Sequence, residues 1–346
     1  MDLTREDEVK LYLEANGYAS CFMVERLSEG FSGFVFRAHQ QAEPQTLIVK
    51  HVEPWAARAK QYKLDQNRML FEAKALRALF AMDIPGVRVP QVYHFDAISF
   101  VLTLEDVGQV PSLKSWIQAD SDLDEVRKIG STLGRFLAKV HGLGTELKSQ
   151  FDNNMTARKL SSAVYFSRLP AEARKHGFEA ESFATAAERG ARDVLEAHDV
   201  LTIGDFWTGN ILVCKAGHKE ELNICVVDFE MAKTGTAAFD IGHMAAEMYC
   251  LAAFRDRERG MALLNSFLSS YQRASSDPVK IVDVAIRIGA HLFTVMPGAW
   301  PNEAMDDQIK EQLQVGAQLI SAGVDNDLKK LRKMIILEEL FAKTSA

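Results

Sequence analysis

The chain of 346 residues has little of what marks a secreted, zinc-bound or membrane-spanning protein. Its four cysteines, Cys21, Cys214, Cys225 and Cys250, are scattered and form no CxxC pair. That excludes a disulfide framework and a thiolate zinc site, and free buried thiols in a reducing compartment are the expectation. No apolar run approaches the roughly 18 residues that cross a bilayer. The opening MDLTREDEVK lacks the apolar centre of a signal peptide. A soluble, cytoplasmic protein with no membrane partner is expected. An excess of basic residues is missing too. The formal net charge of −7 argues against nucleic acid as a partner. It leaves room for a small anionic ligand, because a pocket can be basic inside an acidic protein. No repeat or low-complexity tract interrupts the chain.

What is present is an ordinary globular composition, 47% hydrophobic and 25% charged, over a length that suits one large domain or two lobes. FMVERL, FVFRAHQ and TLIVKHV are short, β-branched or aromatic runs separated by turn residues. Leu64 to Phe80 has helical apolar spacing, and VRVPQVYHF and SFVLTLEDV read as further strands. The first 108 residues are thus expected to form a mixed lobe of about five strands and one main helix. Residues 109–346 change character: Leu123–His141 and Ser182–Ala197 read as helices, Ile224–Asp228 as a strand, and the remainder as mostly helical. The stretch DLKKLRKMIILEELF is amphipathic and is expected to be a packed terminal helix.

Four stretches carry groups suited to chemistry, and each has a plain alternative. In LSEGFSGFVFRA, Gly30, Ser32 and Gly33 lie in a turn between strands. Such glycines let backbone N–H groups approach phosphate oxygens, yet glycine hairpins are also common structural turns. Lys50 follows Ile48 and Val49 on a strand. It either ends that strand in solvent or meets an anion, with Glu72 on the next helix as the candidate partner or as an exposed helical residue. In GDFWTGN, Asp205 and Asn210 interrupt two apolar runs. A loop carboxylate can orient and deprotonate a hydroxyl, and an asparagine oxygen can face a metal; an Asx-type turn would explain the pair equally. In VVDFE, Asp228 emerges from a buried strand, and Glu230 points the same way. Close carboxylates repel unless a cation lies between them, and Mg²⁺ suits oxygen ligands; the plain alternative is a solvated acidic pair at a strand end, which sits poorly with the apolar flank.

Glycine loop, strand lysine, helix glutamate, Asp-x4-Asn and strand-borne aspartate follow the order of protein-kinase-like phosphotransferases. The chain resembles the aminoglycoside phosphotransferase and choline kinase branch of that fold. Within it, the methylthioribose kinases and the fungal small-molecule kinases similar to them, 4-hydroxytryptamine kinase included, look closest. The resemblance rests on LSEGFSGFVFRA, LIVKHVEPW, LTLEDVG, LAKVHGLG, IGDFWTGNILV, VVDFEMAKTGTAAFDIGHM and IGAHL. It implies an α+β, two-lobed protein-kinase-like fold, with an antiparallel N-lobe sheet plus one main helix and a mostly helical C-lobe. It also implies a kinase that uses ATP and Mg²⁺ and transfers the γ-phosphoryl group to a small-molecule alcohol. Gly30, Ser32, Gly33 and Lys50 would meet the nucleotide phosphates, Glu72 would pair with Lys50, and the backbone of Glu105, Asp106 and Val107 would meet the adenine. Asp205 would be the catalytic base, Asn210, Asp228 and Glu230 the metal ligands, and Asp240 a brace for the catalytic loop. Trp207, Glu247 and His291, with Tyr249 and Trp300, either line the acceptor pocket or pack.

The chain also departs from the pattern. Ile203 stands where many relatives have histidine, and Gly33 stands where methylthioribose kinases tend to have asparagine. A single Arg287 replaces the paired arginines expected near IGAHL. Only 11 residues separate Asp228 from Asp240, too few for the activation segment of a protein kinase, and Gly204 replaces the arginine that would read an activating phosphate. The acceptor is then a small molecule: a hydroxyindole, an amino alcohol or a thio-sugar. The competing readings are a catalytically inactive nucleotide-binding or scaffold protein and, disfavoured by that short segment, a protein kinase.

Overall fold

The structure, a computed structural model, describes residues 1–27, 30–117, 121–216, 221–300 and 306–342. It divides into two compact units. The first holds Met1–Asp83, Arg88–Val110 and Cys225–Met231; the second holds Ile84–Val87, Pro111–Ile224 and Ala232–Ala346. The segment that carries Asp228 and Glu230 therefore belongs to the first unit.

The first unit contains α1 (Glu6–Ala15), β1 (Cys21–Leu27), β2 (Phe34–Gln40), β3 (Thr46–His51), the short hairpin β4 (Trp55–Ala56) and β5 (Ala59–Lys63), and α2 (Arg68–Phe80). β6 (Val87–Arg88), at the junction of the units, β7 (Val92–Asp96) and β8 (Val101–Glu105) follow. Five strands form one antiparallel sheet in the order β1-β2-β3-β8-β7. On β3, Leu47 and Val49 point to one face, where Val9, Tyr12 and Leu13 of α1 complete a core. Lys50 points to the other face, where Glu72 of α2 meets it. The charged N-terminal stretch thus hides a helix that the sequence reading left unassigned. α2 starts at Arg68, later than the Leu64 expected, because Leu64 to Asn67 forms a turn whose Asp65 carbonyl accepts from Arg68.

The second unit contains α3 (Leu113–Trp116), α4 (Leu123–His141), α5 (Thr145–Lys148), α6 (Met155–Ser161), α7 (Leu169–Lys175) and α8 (Glu181–Glu196). β9 (Val200–Thr202), β10 (Ile211–Ala216), β11 (Glu221–Val226), whose last two residues fall in the first unit, and β12 (Lys233–Gly235) come next. They are followed by α9 (Ala237–Phe254), α10 (Arg257–Ala274), α11 (Ile281–Thr294), α12 (Met296–Ala299), α13 (Asp306–Val324), α14 (Leu328–Leu331) and α15 (Glu338–Phe341). α4 is capped by Asp122, whose carboxylate accepts from the N–H groups of Asp124 and Glu125. Its last residue is His141. β9 pairs with β12, which fixes the two ends of the segment between residues 202 and 233. The expected single terminal helix is instead α14, a 3₁₀ turn at Ile335–Leu337 and α15, because Met334 takes an extended conformation. Leu331, Ile336, Leu337 and Leu340 are nevertheless buried. Among the described residues, no helix is long and apolar enough to cross a membrane.

Candidate active site

In the first unit, the ammonium of Lys50 donates to Glu72 Oε1 at 2.5 Å and to Asp228 Oδ1 at 3.1 Å. The side chains of Lys50 and Glu72 are 17% and 1% exposed, so neither is a solvated surface charge. Asp228 sits at φ 68°, a left-handed conformation that non-glycine residues seldom adopt and that commonly marks functional positions. Glu230 accepts from Arg68 Nε at 3.2 Å. One oxygen from each of Glu72, Asp228 and Glu230 lies within 4.8 Å of the others. Three carboxylates thus face two cations, Lys50 and Arg68. Burial raises the Glu72 carboxyl, with Asp228 and Glu230 adding repulsion against the pull of Lys50. Burial also raises that of Glu230, with Asp228 next in effect. Lys50 is desolvated as well, yet Asp228, Glu72 and Glu230 outweigh that and hold its ammonium above the ordinary range. One uncompensated negative charge on hard oxygen atoms fits a divalent cation such as Mg²⁺.

Arg68 also ties the glycine loop to this cluster. Its guanidinium donates to the carbonyls of Ser32 at 3.0 Å and Asp65 at 2.9 Å. The N–H groups of Ala57 and Arg58 donate to Ser32 and Phe31, so the β4–β5 hairpin clasps the same loop. Gly33 lies close against the end of β3: a Cβ there would stand 3.1 Å from Val52 and 3.2 Å from the His51 carbonyl. Gly30 meets no such constraint, with Gly33 O at 3.7 Å the nearest atom. After β8, the Glu105 N–H donates to Gln91 O, and its carboxylate pairs with Arg88. The Asp106 carboxylate accepts from Arg37 Nε at 2.6 Å and from Gly108 N at 2.9 Å. Both side chains are committed locally, so a ligand would meet residues 105–107 through their backbone.

In the second unit, GDFWTGN is shaped by Asp240 of α9. Its carboxylate accepts from Ile203 N at 2.7 Å, Gly204 N at 3.0 Å and His141 Nε2 at 3.2 Å. His141 Nδ1 in turn lies 2.8 Å from the Tyr271 hydroxyl, so a neutral ring takes the proton on Nε2 and accepts from Tyr271. His141, the last residue of α4, thus supports the Asp240 carboxylate, while Ile203 contributes its backbone N–H. Gly204 has φ 87°, and that backbone conformation accounts for glycine at this position. Asn210 Nδ2 donates to the Asp205 carbonyl at 3.0 Å and carboxylate at 3.1 Å, so its amide group is oriented by Asp205 through the nitrogen. Trp207 folds over its own turn: a Cβ on Gly209 would lie 2.2 Å from the indole. A cavity of about 310 Å³ opens beside His141 and Tyr271, behind this brace.

α9 and α11 are buried on nearly every side, yet each carries a polar stripe. Asp240, His243 and Glu247 lie at helical spacing on α9, and Arg287 and His291 four apart on α11. The structure brings the acceptor candidates Glu247 and His291 together, with His291 Nε2 2.8 Å from Glu247 Oε1. Thr208 of the loop approaches Glu247 Oε2 at 3.5 Å. Trp207 lies apart from that pair's hydrogen bonds, with Lys114 Nζ 5.9 Å from its ring. Trp300 is buried against Phe254 and Lys114, and Tyr249 is half-buried. Arg68 and His141 escaped the sequence reading. The buried i, i+4 stripe of α11 was visible as its single arginine and histidine, but their burial was not.

Fold and side-chain arrangement together define a kinase-like phosphotransferase. A family model described as phosphotransferase enzyme family (APH) matches residues 24–281, and the chain belongs to that family. It is 28% identical over 287 residues to 4-hydroxytryptamine kinase of Psilocybe cubensis, covering 78% of this chain and 79% of that one. It is 22% identical over 300 residues to methylthioribose kinase of Bacillus pumilus, covering 81% and 69%. Among solved structures, macrolide 2′-phosphotransferase MphH from Brachybacterium faecium shares the fold with a TM-score of 0.53 at 14% identity, over 89% of this chain and 97% of that one. The α+β, kinase-like architecture read from the sequence is the one observed.

Proposed function

We propose that the protein is an ATP- and Mg²⁺-dependent kinase that transfers the γ-phosphoryl group to a hydroxyl of a small molecule. The observation that supports this reading best is the cluster of Lys50, Arg68, Glu72, Asp228 and Glu230, which has a buried lysine suited to phosphate and one negative charge in excess. The first unit is the nucleotide-binding lobe. Gly30, Ser32, Gly33 and Lys50 meet the phosphates, Glu72 holds Lys50, and the backbone of Glu105, Asp106 and Val107 meets the adenine. The second unit is the catalytic and acceptor-binding lobe. Asn210, Asp228 and Glu230 hold Mg²⁺, which when bound neutralises charge on the phosphates. Asp205 orients the acceptor hydroxyl and takes its proton as the new O–P bond forms and the bond to the leaving ADP oxygen breaks. Positioning dominates because the transition state is loose. Trp207, Glu247 and His291 line the acceptor side, whose ligand is a hydroxyindole, an amino alcohol or a thio-sugar. The four free cysteines suit a reducing, cytoplasmic compartment.

The test is Asp205→Ala. Acceptor-dependent ADP release should vanish across a panel of those alcohols, while binding of a non-hydrolysable ATP analogue persists. Undiminished turnover in that variant contradicts the assignment.

A further inference from the structure

The polar stripes of α9 and α11 hold more than the Glu247–His291 pair. Arg287 is 2% exposed, and Lys233 of β12 is 1% exposed. Buried cations are nearly always paired, because an unpaired charge in the interior is strongly destabilising. Neither has a hydrogen-bond acceptor in good geometry among the described residues, at Nε, Nη1 and Nη2 of Arg287 or at Nζ of Lys233; the Tyr165 hydroxyl is a looser partner of Arg287. Their neighbours are aromatic faces. The Arg287 guanidinium carbon lies 3.9 Å from the Tyr165 ring centroid and 4.7 Å from that of Phe239, and Lys233 Nζ lies 4.1 Å from the same Phe239 centroid. Such faces offset part of a charge but leave the N–H groups unbonded.

The carboxylates that act on both cations are Asp240 and Asp205. Asp240 is already bonded to Ile203, Gly204 and His141, and Asp205 is the proposed base. Gly242 of the FDIG motif keeps room for the arginine, since a Cβ there would lie 2.6 Å from Arg287 Cγ. Burial presses the Lys233 ammonium down to about 7 and Arg287 to about 10, the direction an oxyanion would reverse. The aromatic surface beside the loop is already taken by a cation of the chain itself, since Lys114 Nζ lies 3.7 Å from the Trp300 centroid.

We infer that Lys233 and Arg287 bind an oxyanion carried by the acceptor, so that the preferred acceptor is an alcohol bearing a carboxylate or a phosphomonoester, in place of an amino alcohol. This rests on the kinase reading above and narrows its acceptor class. Buried, neutral His291, with Nε2 committed to Glu247 and an unpartnered Nδ1, offers the same molecule a place for a hydroxyl.

The binding test needs no turnover. Thermal unfolding is followed without nucleotide, with acetate, with inorganic phosphate and with glycerol as a neutral control. Wild type should gain stability with at least one anion and none with glycerol. Lys233→Met and Arg287→Met should lose that gain, while Lys50→Met keeps it, which separates this site from the nucleotide phosphates. Acetate against phosphate tells a carboxylate from a phosphomonoester. Lys233→Met should itself be no less stable than wild type, because it removes an unpaired buried charge. Absence of an anion effect in wild type, or its persistence in both variants, overturns the inference. So does an effect lost in Lys50→Met. Should either variant fail to fold, wild-type kinetics on one hydroxyindole scaffold with an acetate, acetamide or aminoethyl side chain decides. The acetate form should have about tenfold or more the kcat/KM of the acetamide, and a preference for the amine refutes the proposal. If these scaffolds and a panel of hydroxy acids, amino alcohols and thio-sugars are all inert while the anion effect is present, the oxyanion site stands and the kinase reading is what fails.

Discussion

Arg68→Met is the perturbation that probes the cluster most sharply. Arg68 is buried, donates to Glu230 at 3.2 Å, and holds the Ser32 and Asp65 carbonyls at 3.0 and 2.9 Å. Methionine keeps much of the stem volume and removes the charge, so Glu230 is left desolvated beside Asp228 with Lys50 as the remaining cation. Breaking a buried pair from one side costs about 3–5 kcal/mol. The loss should fall in the upper half of that range, because the backbone carbonyls of Ser32, Asp65 and Glu53 lose a donor as well. The assay is urea unfolding of wild type, Arg68→Met, Glu230→Gln and the double variant. Glu230→Gln removes the stranded charge, so it should recover part of the loss, with a coupling energy of about 1–3 kcal/mol. Adding Mg²⁺ should stabilise Arg68→Met more than wild type, since the variant has one more uncompensated negative charge. A variant within about 0.5 kcal/mol of wild type, or a cycle without coupling, would refute the reasoning.

Other outcomes follow from the second unit. His141→Leu removes a donor to the Asp240 carboxylate and should lower kcat by about 10–100-fold with the KM for ATP unchanged; His141→Gln, which restores a donor, should recover part of it. Gly204→Ala places a Cβ at φ 87° and should cost about 1–2 kcal/mol, measured by denaturant unfolding. Lys233 gives a pH signature. Burial depresses its ammonium from 10.5 to about 7, against the pull of Asp240 and Asp205. Between those values the unfolded chain binds a proton that the folded chain does not, so this contribution to stability is lost as pH falls from 10.5 towards 7. Lys233→Met should flatten that slope in unfolding experiments run across this window.

Much of the fold was legible because its elements obey simple periods. The five sheet strands are short β-branched or aromatic runs between turn residues, and α4 and α8 carry clear apolar stripes with polar opposite faces. α1 was not legible, since Val9, Tyr12 and Leu13 are sparse among charges and matter through the sheet they cover. The β4–β5 hairpin, AKQYK in its second strand, has no apolar alternation at all. The terminal segment has the amphipathic period of one helix, but Met334 breaks it, a tertiary effect that periodicity does not carry. Lys50, Glu72, Asp228 and Glu230 were legible because polar residues interrupt apolar runs in a fixed order. Arg68 was not, because an arginine opening a helix is ordinary until its carbonyl partners are in place. Ile203 looked like a missing support, and the structure shows the loop held through its backbone, with Ile203 N and Gly204 N donating to Asp240, which His141 also bonds.

Phosphorus NMR tests the central claim most directly. The protein is incubated with ATP, Mg²⁺ and a mixture of hydroxy acids, hydroxyindoles, amino alcohols and thio-sugars. The account predicts loss of the γ-phosphorus signal, growth of ADP and a new phosphomonoester resonance, all absent in Asp205→Ala. An unchanged spectrum, or conversion of ATP to inorganic phosphate with no phosphomonoester, would contradict it.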